Sequence, residues 1–309
     1  MNSYSMIYDS ILGAIGQTPI IRLGSLSTDL GINVFAKLES LNPGGSHKVR
    51  IALGMILDAE GKGILIRGRQ QTIIEPSGGN TGIGLAISGN ILGYKVVLVI
   101  PDNYSPEKQK LLRLYGAEVV LSDGRLGNNS HGQKAMELQL ENPDYVMLNQ
   151  QRNGANPETH RQSTAKEIIR AFGDGRVDYF VGGIGTGGHI TGIGETLKLK
   201  WPAIRVFGVE PEQCDLFSDQ HASHEIQGLS IGIIPSILNL SVLDGMLKVS
   251  KDECLEMIYR VMRSDAISLG ISSAANLVAI SKLSTELPRD SIVLTMIYDG
   301  VDSYLPYFE

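Results

Sequence analysis

The chain has 309 residues, 42% hydrophobic and 19% charged, which is enough for a large core and for two domains and excludes a disordered chain. A formal net charge of -6 argues against a nucleic-acid surface, and no apolar run approaches the roughly 20 residues of a membrane span. Cys214 and Cys254 form neither a CxxC pair nor metal-ligand spacing, and the histidines show no zinc pattern, so two buried thiols, no metal site and a reducing cytoplasm are expected. Met1 to Ser10 lacks the basic stretch of a signal peptide.

Apolar β-rich runs alternate with amphipathic ones. Strands are predicted at 33–38, 72–75, 96–100, 118–121, 145–148, 179–181, 206–209 and 292–297. Helices are predicted at 107–115, 133–139, 158–172 and 252–262, and the cluster Gly127, Asn128, Asn129 reads as a loop. Alternation of this kind implies an α/β fold of parallel sheets covered by helices on both faces, with ligands at the carboxyl ends of the strands.

Three glycine-rich turns follow strands or open helices. In Asn42-Pro43-Gly44-Gly45-Ser46-His47-Lys48, the proline and glycines set a tight turn and Lys48 stands at a helix start. The positive end of a helix disfavours an ammonium, which suits a lysine that must act as a free amine, although an exposed lysine on a solvated helix fits the same residues. In Glu75-Pro76-Ser77-Gly78-Gly79-Asn80-Thr81-Gly82, backbone N–H groups and two hydroxyls can grip a carboxylate. In Gly182-Gly183-Ile184-Gly185-Thr186-Gly187-Gly188-His189, consecutive glycines let main-chain donors approach a phosphate. The third turn lies mid-chain and does not keep the spacing of a dinucleotide loop.

Together with 15–23, Lys37-Leu38-Glu39, 153–157, Ile226-Gln227-Gly228-Leu229 and Gly270-Ile271-Ser272-Ser273, these turns resemble the cysteine synthase and cystathionine β-synthase family of fold-type II pyridoxal-phosphate enzymes. The resemblance spans nearly the whole chain and implies a two-domain fold like that of the tryptophan synthase β-subunit. It implies a larger cofactor-binding domain from 1–40 and 151–309, and a smaller mobile domain from 41–150 that closes on the substrate.

The resemblance also implies roles. Lys48 carries pyridoxal 5'-phosphate as a Schiff base and moves the α-proton. Asn80 bonds the cofactor's 3-hydroxyl. Gly185, Thr186, Gly187, Gly188 and His189 hold the phosphate, and Ser272 and Gly300 lie near the ring. Ser77, Gly78, Gly79, Asn80 and Thr81, with Gln150, Gln151 and Gly228, form the substrate side. The implied reaction is β-replacement on serine or an activated serine, O-acetylserine or O-phosphoserine, through an aminoacrylate. The partners are then a small amino acid and a small nucleophile, in a cytoplasmic homodimer with neither nucleic acid nor membrane. No haem-binding leader or C-terminal regulatory extension is expected beside this catalytic core.

The sequence departs from that pattern inside the site. Gly300 stands where the family has a hydroxyl facing the pyridine nitrogen, Gly78 where it has Ser, His189 where it has Thr, Val49 where it has Asp, and Gln151 where it has an aromatic residue. His189 can still donate to a phosphate. Gly78 and Gln151 alter the substrate wall, and a nucleophile bulkier or more polar than sulfide is one expectation. A β-eliminating lyase, an amine or amino-acid nucleophile, and a binding protein without turnover remain open alternatives.

Overall fold

Among the described residues, β-branched and aliphatic runs form ten strands, and segments with helical spacing form ten α-helices. The structure, a computed structural model, describes residues 7–126 and 129–308. Residues 1–6, with most of the segment read as lacking a signal sequence, lie outside them, as do Gly127 and Asn128 of the predicted loop. The strands are β1 (Ile20–Arg22), β2 (Asn33–Leu38), β3 (Thr72–Glu75), β4 (Lys95–Pro101), β5 (Glu118–Ser122), β6 (Tyr145–Met147), β7 (Tyr179–Gly183), β8 (Arg205–Pro211), β9 (Gly245–Val249) and β10 (Ile292–Ile297). The helices are α1 (Gly24–Leu30), α2 (Lys48–Gly61), α3 (Asn80–Ile91), α4 (Pro106–Leu114), α5 (Ser130–Glu141), α6 (Ala155–Gln162), α7 (Thr164–Phe172), α8 (Gly188–Lys200), α9 (Lys251–Ser264) and α10 (Ile271–Leu283).

The chain divides into two units. Of the described residues, the first comprises 7–15 and Asn42–Asn156; the second comprises Gly16–Leu41 and the chain from Pro157 onward. Residues 7–15 and 151–156 fall in the smaller unit, whereas the sequence placed them in the larger domain. The first unit holds a parallel sheet in the order β5-β4-β3-β6, and Ala52, Met55, Ile56, Ile73, Leu85 and Leu98 pack into its core. The second holds a six-stranded sheet, β1-β2-β10-β7-β8-β9, parallel except for the β1–β2 pair. Neighbours on β7 point to opposite faces: Phe180 joins a core with Ile190, Ile193 and Leu294, and Val181 one with Ile258, Leu277 and Val293. Helices thus cover both faces, as parallel sheets require.

One local difference from the sequence reading has a physical cause. The helix predicted over 158–172 is two helices, broken at Ser163, whose hydroxyl donates to Thr159 O at 2.6 Å. Ser272 and Ser273 lie inside α10; Gly270 is its N-cap, and buried Ser273 Oγ accepts from Tyr298 N at 2.9 Å.

Candidate active site

The first unit places two helix starts side by side. A β-carbon on Gly84 of α3 would lie 2.9 Å from Val49 Cα and 3.0 Å from Ala52 Cβ, so a glycine there lets α3 press against the backbone of α2. A second close approach comes from Gly44 in the turn before α2. Its φ is 76°, and a β-carbon on it would meet Ile87 Cδ1 of α3 at 2.7 Å. Lys48 is the first residue of α2 and Asn80 the first of α3, so both stand at positive helix ends. His47, buried before Lys48, brings its Nε2 to 2.8 Å from Lys48 Nζ. An ammonium only donates, so against a charged Lys48 the imidazole accepts at Nε2 and carries its proton on Nδ1.

Ser77, Gly78 and Gly79 link β3 to α3, and Asn80 and Thr81 form the first turn of that helix. Gly82 has to lack a side chain because a β-carbon would collide with Ser77 O. Early N–H groups of a helix have no acceptor within the helix, so this loop offers main-chain donors. Thr81 Oγ1 donates to Gln150 Oε1 at 2.7 Å, which turns the Gln150 amide nitrogen the other way as a donor. Gln150 is in turn fixed by its main chain. Its carbonyl accepts from Asn156 Nδ2 at 2.8 Å, and its N–H reaches Glu75 Oε1 at 3.0 Å. The other Glu75 oxygen accepts from Asn149 N at 2.9 Å. Glu75 is fully buried at the end of β3, and burial raises its pKa against those hydrogen bonds. Gln151 is half-buried in the same turn.

The second unit carries the third glycine turn, at the start of α8. Gly187 is the N-cap with φ 77°, and a β-carbon on Gly185 would collide with Gly228 O. Ser230 N donates to Ile184 O at 2.8 Å, so the segment around Gly228 is tied to this loop. Gly228 has φ 90°, and a β-carbon on it would stand 3.9 Å from Ser272 Oγ. Thr186 and His189 are both buried. His189 Nε2 lies 2.8 Å from Tyr298 Oη, which accepts from Gly183 N at 2.9 Å. Burial holds the phenol protonated, and the direction of its hydrogen bond with His189 Nε2 follows the tautomer of the ring.

Gly300 ends the same stretch of chain. Ser268 Oγ would lie 3.0 Å from a β-carbon there and accepts from Val301 N at 3.0 Å, so a serine hydroxyl stands where residue 300 has no side chain. Gly270 N donates to Asp299 O at 2.9 Å, which ties this stretch to the start of α10.

These donor sets fit pyridoxal phosphate: a primary amine at one helix start, and at another a turn kept bare of side chains for an anionic phosphate. The profile of the pyridoxal-phosphate dependent enzyme family matches residues 11–299. The chain belongs to this family. A cysteine synthase from Flavobacterium is 43% identical over 266 residues, 86% of this chain and 85% of that protein. The crystal structure of an O-ureido-L-serine synthase superposes with a TM-score of 0.93 at 37% identity, covering 98% of this chain and 95% of that one. A hydrogen sulfide-producing enzyme from Fusobacterium nucleatum gives a TM-score of 0.90 at 35% identity, covering 98% and 99%.

The residues predicted for the site of a pyridoxal-phosphate dependent enzyme fall in both units. Lys48, Ser77, Gly78, Gly79, Asn80, Thr81, Gln150 and Gln151 lie in the first, and 185–189, Gly228, Ser272 and Gly300 in the second. Sequence reasoning missed His47, Glu75 and Tyr298. His47 had a signal, a histidine beside the candidate lysine; Glu75 and Tyr298 acquire their partners only through tertiary packing. Among the described residues, no group of three or more His, Cys, Asp or Glu is placed to hold a metal, and no helix is long and apolar enough to cross a membrane.

Proposed function

We propose that this pyridoxal-phosphate enzyme catalyses β-replacement on serine or an activated serine, giving cysteine or another β-substituted alanine. The observation that carries the reading lies in the first unit: the start of α2, with Lys48, packs beside a loop of main-chain donors at the start of α3. The substrate α-carboxylate sits on the N–H groups of 79–81, with the Gln150 amide nitrogen aimed by Thr81 as a further donor. Lys48 Nζ takes the proton from the α-carbon, and His47 Nε2 accepts a hydrogen bond from the resulting ammonium. The bound cofactor supplies an electron sink for the pair left at the α-carbon, so that a leaving group on the β-carbon can depart. When the cofactor binds, the loop 185–188 and His189 would hold its phosphate, Asn80 would bond its 3-hydroxyl, and Ser272 and Gly300 would lie on the ring side.

Kinship with cysteine and O-ureido-L-serine synthases supports replacement over elimination. Product analysis of the holoenzyme with O-acetyl-L-serine, O-phospho-L-serine or L-serine, each with sulfide or an amine nucleophile, tests the reading. A β-substituted alanine is the expected product. Pyruvate and ammonia formed equally with and without a nucleophile would replace the reading with a lyase, the activity the hydrogen sulfide-producing neighbour suggests. The family resemblance further supports a cytoplasmic homodimer, whose assembly sedimentation of the holoenzyme measures.

A further inference from the structure

Gly78 has no side chain, yet the space beside it is filled. A β-carbon on Gly78 would lie 2.7 Å from Tyr104 Cε1, 3.0 Å from Tyr104 Cζ and 2.7 Å from Ile100 Cγ2. Ile100 is fully buried on β4 and leaves no room to retreat. The Tyr104 ring therefore occupies the volume a side chain at 78 would take. Cζ is the atom that carries the hydroxyl, so the ring turns its polar end toward the loop. Its backbone is pinned on both sides: Tyr104 N donates to Pro101 O at 3.1 Å, and Tyr104 O accepts from Gln109 Nε2 at 3.0 Å. Lys108 Nζ lies 5.6 Å from the ring centroid, a cation on the aromatic face. Burial raises the phenol pKa, so the hydroxyl stays a donor through neutral pH.

We propose that Tyr104 is a binding residue for the substrate α-carboxylate, its hydroxyl donating at the loop where residue 78 has no side chain. The proposal rests on the reading of 77–81 as the carboxylate loop. A phenol donor there favours amino acids with a free carboxylate, the stronger acceptor.

The experiment is a titration of the holoenzyme, followed by cofactor absorbance, with O-acetyl-L-serine and with its methyl ester. Tyr104→Phe removes only the hydroxyl. It is expected to weaken the acid about 10–100-fold, the worth of a hydrogen bond to a charged group, and the ester less than about twofold. Acid binding unchanged in Tyr104→Phe, or acid and ester weakened alike, overturns the proposal. If the wild-type absorbance does not respond to O-acetyl-L-serine, the reading of the loop fails first; if it responds and Tyr104→Phe matches it, only Tyr104 is excluded.

Discussion

Tyr298 shows how a single hydroxyl can join two elements. It accepts from Gly183 N and meets His189 Nε2, all three groups being buried, so one phenol ties the end of β7 to the first turn of α8. Removing it leaves a buried N–H and a buried ring nitrogen without this partner. Tyr298→Phe is therefore expected to lose about 1–3 kcal/mol of stability in denaturant titration, the cost of an unsatisfied buried group. It is also expected to release cofactor faster on dilution, because His189 loses this hydrogen-bond partner. Stability equal to wild type would show that the phenol carries none of this.

Residues of this kind were not visible in the sequence, and the reason is physical. Lys48, Asn80 and the loop 185–188 announce themselves because a tight turn, a bare main chain or an amine at a helix start restricts residue type locally. Tyr298, Tyr104 and Glu75 are ordinary residues until packing brings a partner to them. Departures from the pattern were readable as differences but not as consequences. That Tyr104 fills the space beside Gly78, or Ser268 the space beside Gly300, depends on segments distant in sequence.

At the scale of elements, the loop after β6 owes its shape to one carboxylate. Asn149 sits at φ 54°, a conformation that asparagine tolerates better than most residues, and Glu75 holds this residue and the next by their N–H groups. A glutamine can accept at only one of those places, so Glu75→Gln is expected to destabilise the first unit by about 1–3 kcal/mol near the ordinary carboxylate pKa. The pH dependence has a definite sign. Burial raises the folded-state pKa of Glu75, so its stabilising contribution is fully present below the unfolded value and is lost as pH rises through the folded value. Melting curves should therefore show the wild-type advantage over Glu75→Gln shrinking as pH climbs above the carboxylate range. An advantage that grows with pH would mean the carboxylate is held charged.

On the scale of the whole molecule, alternating strands and helices foretold the sheets better than their edges. The eight strands read from apolar runs all occur. The two that were missed, β1 and β9, are edge strands of three and five residues, where packing on one side only weakens the apolar pattern. Residues 7–15 pack with the smaller unit because contacts, and not adjacency in sequence, decide membership. Such a fold serves a cofactor enzyme by presenting loops at helix starts, and the chemistry proposed here depends on one of them. Borohydride reduction of the holoenzyme, followed by peptide mass mapping, tests that dependence most directly. A pyridoxyl mass on the peptide containing Lys48, absent from Lys48→Ala, is the predicted result. Label on another lysine, or none on a protein that still absorbs as holoenzyme, would contradict it.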